Sequence, residues 1–236
     1  MMRLLLLSNS TLPGEPYLGW PRPYIHELLG ARQRVAFVPF AAVSFSMDEY
    51  ADMTQKAFGE MGHDLVSLHR ASDPHAELAA CDAVAVGGGN TFQLLRTLYT
   101  TGLIRGIADR AKRGMPYIGW SAGSNVACPT IMTTNDMPIT EPPSLRAMHL
   151  VPFQINPHYT DVRPEGHAGE SRDQRIAEFL VMNPKVKVAG LREGSLLHVV
   201  DRALQLSGRD MRVFEHGRPP KEVAEGTTLR SDLADA

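Results

Sequence analysis

The sequence predicts an α/β fold in which a parallel β-sheet is covered by helices. Short apolar runs rich in β-branched residues alternate with segments of helical periodicity, which is typical of right-handed βαβ units. The apolar runs are nearly continuous, which indicates strands that are buried on both faces of the sheet. The runs are residues 4–7, 34–40, 65–68, 83–86 and 117–120, and the helical segments are residues 47–62, 92–98 and 103–113.

The second half of the chain is less regular. Residues 129–171 carry many prolines and few long apolar runs, so we expect an extended loop region there that has room for short strands. Ser171 and Gln174 have capping-box spacing and predict a helix that stops at Asn183-Pro184. Short strands follow in KVKVAG, SLLHVV, ALQLSG and MRVFEHG, the last of them as antiparallel hairpins at a sheet edge. The polar tail from Lys221 is expected to fray in part.

Length and composition favour a single α/β domain over residues 1–236. Hydrophobic residues make up 43% of the chain and charged residues 21%, which excludes a largely disordered protein. The net charge is −2, and no stretch concentrates Lys and Arg, so we expect no nucleic-acid partner. The sequence leaves the oligomeric state open, with a homodimer as one alternative.

The N-terminus and the cysteines point to a cytoplasmic protein. In MMRLLLLSNS only four leucines follow the arginine, too few for the apolar region of a signal peptide or for a membrane span. We therefore expect a first strand there, and no membrane partner. Two cysteines, Cys81 and Cys128, allow at most one disulfide, and buried reduced thiols are the favoured interpretation.

Two glycine-rich segments follow predicted strands. Residues 119–123 read G-W-S-A-G and match the nucleophile elbow G-x-S-x-G, in which a strained strand-to-helix turn exposes the serine, here Ser121. The plainer alternative is a loop that happens to carry a serine. In GGGNTFQLL, residues 87–95, backbone N–H groups can approach a ligand, but the Walker and dinucleotide spacings are not met. An oxyanion site is therefore at least as good an interpretation as a nucleotide site. A tight βα turn without a binding function is the third alternative.

A catalytic serine needs a base and a carboxylate that orients the base. His158 follows Pro157 in an expected polar loop, and no histidine pair has metal-ligand spacing, so we predict no metal. Two carboxylates are candidates for the third member, Asp136 between Ser121 and His158 and Glu193 after a predicted strand. Chain order alone leaves both open.

Arg172 is a further candidate site residue, because the first turn of a helix disfavours positive charge. An arginine there could recognise a substrate carboxylate through its bidentate fork. The alternative is an ordinary solvated arginine.

The chain closely resembles the peptidase E family, the aspartyl dipeptidases among serine peptidases. Four segments in family order carry the match: residues 87–95, 119–139 and 156–176, and GLREGS at residues 190–195. The resemblance covers the chain from Leu4 to about Gly208. It implies a flavodoxin-like, class I glutamine-amidotransferase-type sheet and the hydrolysis of dipeptides with an N-terminal aspartate, with no cofactor.

The resemblance also implies a role for each site residue. Ser121 is expected to be the nucleophile, His158 the general base and Glu193 the acid member of the triad. The oxyanion donors are expected to be the N–H groups of Gly89 and Ala122. The residues expected to bind the substrate are Asn90, Asp136 and Arg172. Ser124 and Arg192 are variations near these positions that are expected to alter fine specificity at most.

Three rival functions remain at this point. A glutaminase half of an amidotransferase uses cysteine at the elbow, whereas this chain has Ser121. A cyanophycinase-like peptidase shares the serine elbow, but the secretory signal common among such enzymes is missing. A carboxylate-binding module without catalysis would need none of Ser121, His158 and Glu193, which are all present.

Overall fold

Two β-sheets form the framework of the protein, shown by a computed structural model that describes residues 1–162 and 169–236. The larger sheet has eight strands and the smaller one has four. Part of the family-like segment 156–176, residues 163–168, lies outside the described residues, as does the same part of the expected loop region 129–171.

Five parallel strands make up one side of the larger sheet. They are β1 (Arg3–Leu7), β2 (Arg34–Val38), β3 (Asp64–Ser67), β4 (Ala83–Val86) and β5 (Tyr117–Trp120). Their order in space is β3-β2-β4-β5-β1, and every neighbouring pair is parallel. Each of the five predicted apolar runs forms one of these strands, so the predicted α/β fold class with a mostly parallel sheet is confirmed.

Helices cover both faces of this sheet, and one helix packs instead on the smaller sheet. The helices are α1 (Arg22–Leu29), α2 (Met47–Glu60), α3 (Pro74–Ala79), α4 (Thr91–Thr100), α5 (Leu103–Lys112), α6 (Ala122–Asn125) and α7 (Arg172–Met182). Of these, α7 packs on the smaller sheet through Ile176 and Leu180. The predicted helices correspond to α2, α4, α5 and α7, and α7 begins with the predicted capping box of Ser171 and Gln174. The helices α1 and α3 have only eight and six residues and carry no predicted helical pattern.

Alternate residues of the strands pack into two different cores. Leu4 and Leu6 of β1 face the core that α4 and α5 cover, whereas Leu5 and Leu7 face the core under α1 and α2. All four leucines are fully buried. This two-sided burial explains why the strand sequences are continuously apolar.

Antiparallel strands extend the larger sheet, and the smaller sheet contains both parallel and antiparallel pairs. Beside β1 lie β8 (Leu196–Val200), β9 (Ala203–Ser207) and β12 (Thr228–Arg230). The smaller sheet contains β6 (Gln154–Tyr159), β7 (Val188–Arg192), β10 (Met211–Phe214) and β11 (Lys221–Val223) in the order β11-β10-β7-β6. The four predicted strands after residue 184 are therefore present, divided between the two sheets.

The structure places strands in both irregular parts of the chain. The strand β6 is a short strand within the expected loop region 129–171 and pairs in parallel with β7. The tail from Lys221 does not fray but adds the edge strands β11 and β12. Val223 and Leu229 anchor these strands, because each side chain is more than 90% buried. A strand of three residues is too short to show an alternating hydrophobic pattern, so the sequence did not predict it.

Both cysteines are free and buried, as predicted. Burial raises the pKa of the Cys128 thiol to about 12. In residues 1–162 and 169–236 no helix combines the length and the apolar character that a membrane span needs.

Candidate active site

Ser121 lies at the carboxyl end of β5, in the turn that enters α6. Its backbone has φ 52° and ψ −111°, a strained combination for a non-glycine residue. The glycines on either side allow the turn to pack against its neighbours. A Cβ atom on Gly123 would lie 2.1 Å from the carbonyl oxygen of Val86, and one on Gly119 would lie 2.6 Å from the carbonyl carbon of Gly123. The sequence pattern G-x-S-x-G therefore has a steric cause here.

Buried hydrogen bonds hold this turn on the sheet. The hydroxyl of Ser124 is placed to donate to the carbonyls of Leu7 and Gly119, at 2.7 and 2.8 Å. The Tyr117 hydroxyl donates to the carbonyl of Gly123 at 2.6 Å. Ser124 is fully buried, so it supports the turn and does not face solvent.

His158 lies beside the serine, with its Nε2 atom 2.9 Å from Ser121 Oγ. It was expected in a polar loop, but it belongs to β6, where the register shifts between Asn156 and Tyr159. The backbone of His158 has φ 52°, which is uncommon for a non-glycine residue. A β-bulge of this kind changes the direction of a side chain, and here the imidazole points at Ser121.

Glu193 follows β7 and lies on the other side of the imidazole. Its Oε1 atom is 2.8 Å from His158 Nδ1, and its side chain is 50% exposed. Asp136, the other carboxylate candidate, accepts hydrogen bonds from the N–H and the hydroxyl of Thr91, at 2.7 and 2.6 Å. Of the two carboxylates that chain order left open, Glu193 is the one in contact with His158.

Two residues that were not among the predicted site residues, Ser8 and Asn9, connect these parts. The Ser8 hydroxyl accepts from the N–H of His158 at 2.9 Å and donates to the carbonyl of Leu191 at 2.8 Å. The Asn9 side-chain oxygen accepts from the N–H of Gly194 at 2.8 Å, directly after Glu193. The signal was present in the sequence, because the polar run Ser-Asn-Ser follows β1 at the edge where ligands bind.

The glycine-rich loop after β4 runs next to the serine. A Cβ atom on Gly88 would lie 3.1 Å from Ser121 Cβ, and one on Gly89 would lie 2.3 Å from the carbonyl oxygen of Ala41. Gly89 also has φ 129°, which favours glycine. The loop can therefore approach Ser121 only because these positions carry no side chains.

Asn90 ends the loop as the N-cap of α4. Its side-chain oxygen accepts from the N–H of Gln93 at 3.0 Å, and its amide donates to the carbonyl of Met137 at 2.9 Å. Both groups of the side chain are thus occupied, and Asn90 does not line the cavity at Ser121.

A cavity of about 350 Å³ opens at Ser121. His158, Glu193 and the glycines 88 and 89 form one part of its wall, together with Asn9, Ser10 and Thr11. The rest of the wall is apolar or aromatic and consists of Tyr17, Phe45, Tyr50, Met53 and Trp120. The serine and the imidazole are therefore accessible from a cleft with a predominantly apolar lining.

A second cavity, of about 240 Å³, contains Asp136 and Arg172. Asn135 connects it to the histidine strand, because its amide donates to the carbonyl of Pro157 at 2.7 Å. The guanidinium of Arg172 donates to the side-chain oxygen of Asn135. Burial, and then repulsion by Arg175, lower the pKa of Arg172. Within the described residues, Arg172 has no carboxylate partner.

Arg192 lies in a charged cluster behind the imidazole. It forms ion pairs with Asp161 and Glu222 at 3.0 and 2.9 Å, and its guanidinium lies 5.5 Å from the ring centre of Tyr159. Arg212 shares the same carboxylates and also pairs with Asp173 of α7. Arg192 is the last residue of β7, so this cluster holds the end of the strand directly before Glu193.

The part of the chain that the structure describes holds no group of three His, Cys, Asp or Glu side chains that could bind a metal ion.

Comparison with known proteins identifies the family of the chain. The model of peptidase family S51 matches residues 4–207. Peptidase E of Salmonella newport is 50% identical over 226 residues, which are 95% of this chain and 99% of that protein. Peptidase E of a Nostoc species is 47% identical over 222 residues, which are 93% and 92% of the two chains.

Two solved structures share the fold at low sequence identity. The crystal structure of a peptidase from an acI-B1 actinobacterium has a TM-score of 0.71 and 16% identity, and the match covers 98% of this chain and 97% of that one. A putative peptidase E protein from Listeria monocytogenes has a TM-score of 0.65 and 22% identity, over 88% and 98% of the chains. Together with the sequence matches, these findings show that the chain belongs to peptidase family S51 and is a serine-type peptidase.

Proposed function

We propose that this peptidase hydrolyses dipeptides with an N-terminal aspartate, with Ser121 as nucleophile, His158 as general base and Glu193 as the carboxylate that orients the base. The observation that carries the proposal is the continuous chain of contacts from Ser121 Oγ to His158 Nε2 and from His158 Nδ1 to Glu193 Oε1. Contacts of this kind, in an accessible cleft, are what a serine needs to become a nucleophile.

The reaction follows from this arrangement. Ser121 donates its proton to His158 as its oxygen attacks the carbonyl carbon of the aspartyl residue. Glu193 accepts a hydrogen bond from Nδ1–H and stabilises the imidazolium. His158 then protonates the amine of the departing residue, and an aspartyl ester of Ser121 remains. Water, deprotonated by His158, hydrolyses this ester and restores the serine.

The negative charge of the tetrahedral intermediate needs donors close to Ser121. We assign this role to the backbone N–H groups of Gly89 and Ala122. Gly89 lines the same cavity as the serine, and Ala122 is the first residue of α6, where N–H groups lack partners within the helix. One donor of this kind contributes about 3 kcal/mol in related enzymes.

Selectivity for aspartate is assigned to the second cavity. Arg172 supplies a partly buried cation without a carboxylate partner in the described chain, which suits the side chain of aspartate. Asp136 uses its Oδ2 atom for Thr91 and Thr134, and among the described residues no partner is recorded for Oδ1, which remains for the α-amino group. Asn90, occupied by Gln93 and Met137, contributes by fixing the segment that carries Asp136.

The test is hydrolysis of Asp-Leu, Glu-Leu and Ala-Leu, in the presence of a chelator, by the wild type and by Ser121→Ala. Ser72→Ala is the matched control, because Ser72 is exposed and lies before α3. We expect cleavage of Asp-Leu at least about 100-fold faster than that of the other two, since unpaired buried polar groups discriminate strongly.

The variant Ser121→Ala should lose this activity, and Ser72→Ala should keep it. Comparable cleavage of all three dipeptides would contradict the selectivity for aspartate. Cleavage of Asp-Leu by Ser121→Ala at the wild-type rate would contradict the role of Ser121 as nucleophile.

A further inference from the structure

The proposed function does not yet say which part of the substrate binds in the apolar cavity at Ser121. The position of this cavity suits the residue that departs after cleavage. We infer that it is the binding site for the residue after the scissile bond, and that it selects an apolar side chain there. This inference rests on the proposed function, because it takes Ser121 and His158 as nucleophile and base.

The side of the cleft on which the departing residue binds follows from the proton that His158 must donate to it. The departing amine receives this proton from Nε2, so the departing residue leaves on the side where the imidazole is exposed. Ser121, His158 and Glu193 all line the apolar cavity, whereas none of them lines the cavity that contains Arg172. The two halves of the substrate thus have separate cavities, one charged and one apolar.

The wall of the apolar cavity offers rings and aliphatic surface. Trp120 donates its indole N–H to the hydroxyl of Tyr50 at 2.8 Å, so the polar atoms of these two side chains satisfy each other. The Tyr17 hydroxyl is within 3.3 Å of the Thr54 hydroxyl. No Lys or Arg is among the described residues that line the cavity, and its carboxylate, Glu193, disfavours an acidic side chain.

Phe45 and Met53 form the exposed part of this wall. They are large apolar side chains, yet they remain 41% and 40% exposed. Phe45 is held in position, because its ring packs edge-on against Tyr50 with the centres 5.1 Å apart. A substrate side chain that enters the cavity would cover both residues and would gain the free energy of apolar burial. We therefore expect Phe45 and Met53 to determine specificity for the departing residue.

The experiment compares kcat/KM for Asp-Leu and Asp-Asn, whose departing side chains have nearly the same size and differ in polarity. The wild type should prefer Asp-Leu by about tenfold or more, the discrimination typical of a hydrophobic pocket. Phe45→Ala and Met53→Ala should each lower kcat/KM for Asp-Leu by about threefold to tenfold and leave Asp-Asn nearly unchanged. Met182→Ala, at the exposed last residue of α7, is the control and should change neither value.

A ratio of Asp-Leu to Asp-Asn near one in the wild type would overturn the inference. So would equal losses on both substrates in the Phe45 and Met53 variants, which indicate a general defect in folding or catalysis. Ala-Leu and Ala-Asn separate this result from a failure of the proposed function. Cleavage of Ala-Leu as fast as that of Asp-Leu, with leucine still preferred over asparagine, would support the apolar site and contradict the aspartyl selectivity. No cleavage of any of the four dipeptides would overturn both.

Discussion

The turn at Ser121 and the pair of His158 and Glu193 are held in place by different means. The serine lies on the parallel sheet itself, in a turn where glycines pack directly against backbone carbonyls. The histidine and the glutamate come from β6 and the end of β7 in the smaller sheet. Polar side chains of the larger sheet, Ser8 and Asn9, hold these two segments.

The serine is therefore fixed by steric contacts of glycines, whereas the histidine and the glutamate are fixed by hydrogen bonds. A glycine contact with a backbone carbonyl leaves no room for any other residue, whereas a hydrogen bond can be weakened by degrees. Changes at the serine turn should therefore abolish the site, and changes on the histidine side should reduce its efficiency.

Gly123→Ala should have the largest effect. The added Cβ atom would lie 2.1 Å from the carbonyl oxygen of Val86, so backbone of β4 or α6 would have to move. We expect a loss of about 3 kcal/mol or more in the free energy of unfolding, measured by urea denaturation, and no detectable peptidase activity. Gly59→Ala is the matched control, since a Cβ atom there meets nothing within 4 Å and alanine favours a helix. Equal stability of the two variants would show that the turn is not sterically fixed.

Glu193→Gln should lower kcat by about 100-fold, less than for a fully buried triad carboxylate, because the side chain is half exposed and water partly replaces its effect. Asp136→Asn should instead raise KM, since this carboxylate contacts Thr91 and not the imidazole. Steady-state kinetics of the two amide variants distinguish these roles. Full activity of Glu193→Gln together with inactive Asp136→Asn would make the assignment of the third residue wrong.

Ser8→Ala should have a smaller effect on kcat, about tenfold, with little change in KM. The substitution removes the hydroxyl that links the N–H of His158 to the carbonyl of Leu191, and two buried polar groups lose their partner. Ser8→Thr keeps the hydroxyl and should recover part of the rate if Ser8 positions the histidine. An equal fall in kcat for Ser8→Ala and for the exposed Ser72→Ala would contradict this positioning role.

The charged cluster behind the imidazole should have the smallest effect. Arg192 and Arg212 lower the pKa of Glu222, and Arg192 also lowers that of Asp161. A lowered carboxylate pKa gives stability that is present above the unfolded value, about pH 4, and is lost as the pH falls below it. Glu222→Gln should therefore reduce the free energy of unfolding by about 1 kcal/mol at pH 7 and by less at pH 3. The same loss at both pH values would contradict an electrostatic role.

Most of the parallel sheet and the serine turn could be predicted from the sequence, because both depend on local patterns of residues. Residues 83–86 and 117–120 are apolar over their whole length, and glycines surround Ser121 at fixed spacing. The position of His158 in β6 could not be read in this way. Its strand is short, contains Pro157 and depends on pairing with β7, more than thirty residues away in the chain.

Physical reasoning from the residues alone also left the choice between Asp136 and Glu193 open. That choice depends on the distance between segments in space, which neither composition nor spacing specifies. Ser8 and Asn9 were missed for a similar reason. Their partners, His158, Leu191 and Gly194, follow them by 150 residues or more.

The role of Ser121 can be measured by the mass of the chain after reaction with a fluorophosphonate, a reagent that labels activated serines. We expect one adduct per chain, located at residue 121 by peptide mapping, absent in Ser121→Ala and formed at least about tenfold more slowly in Glu193→Gln. An unlabelled wild-type chain, or an adduct that persists in Ser121→Ala, would contradict the assignment of Ser121 as the activated nucleophile.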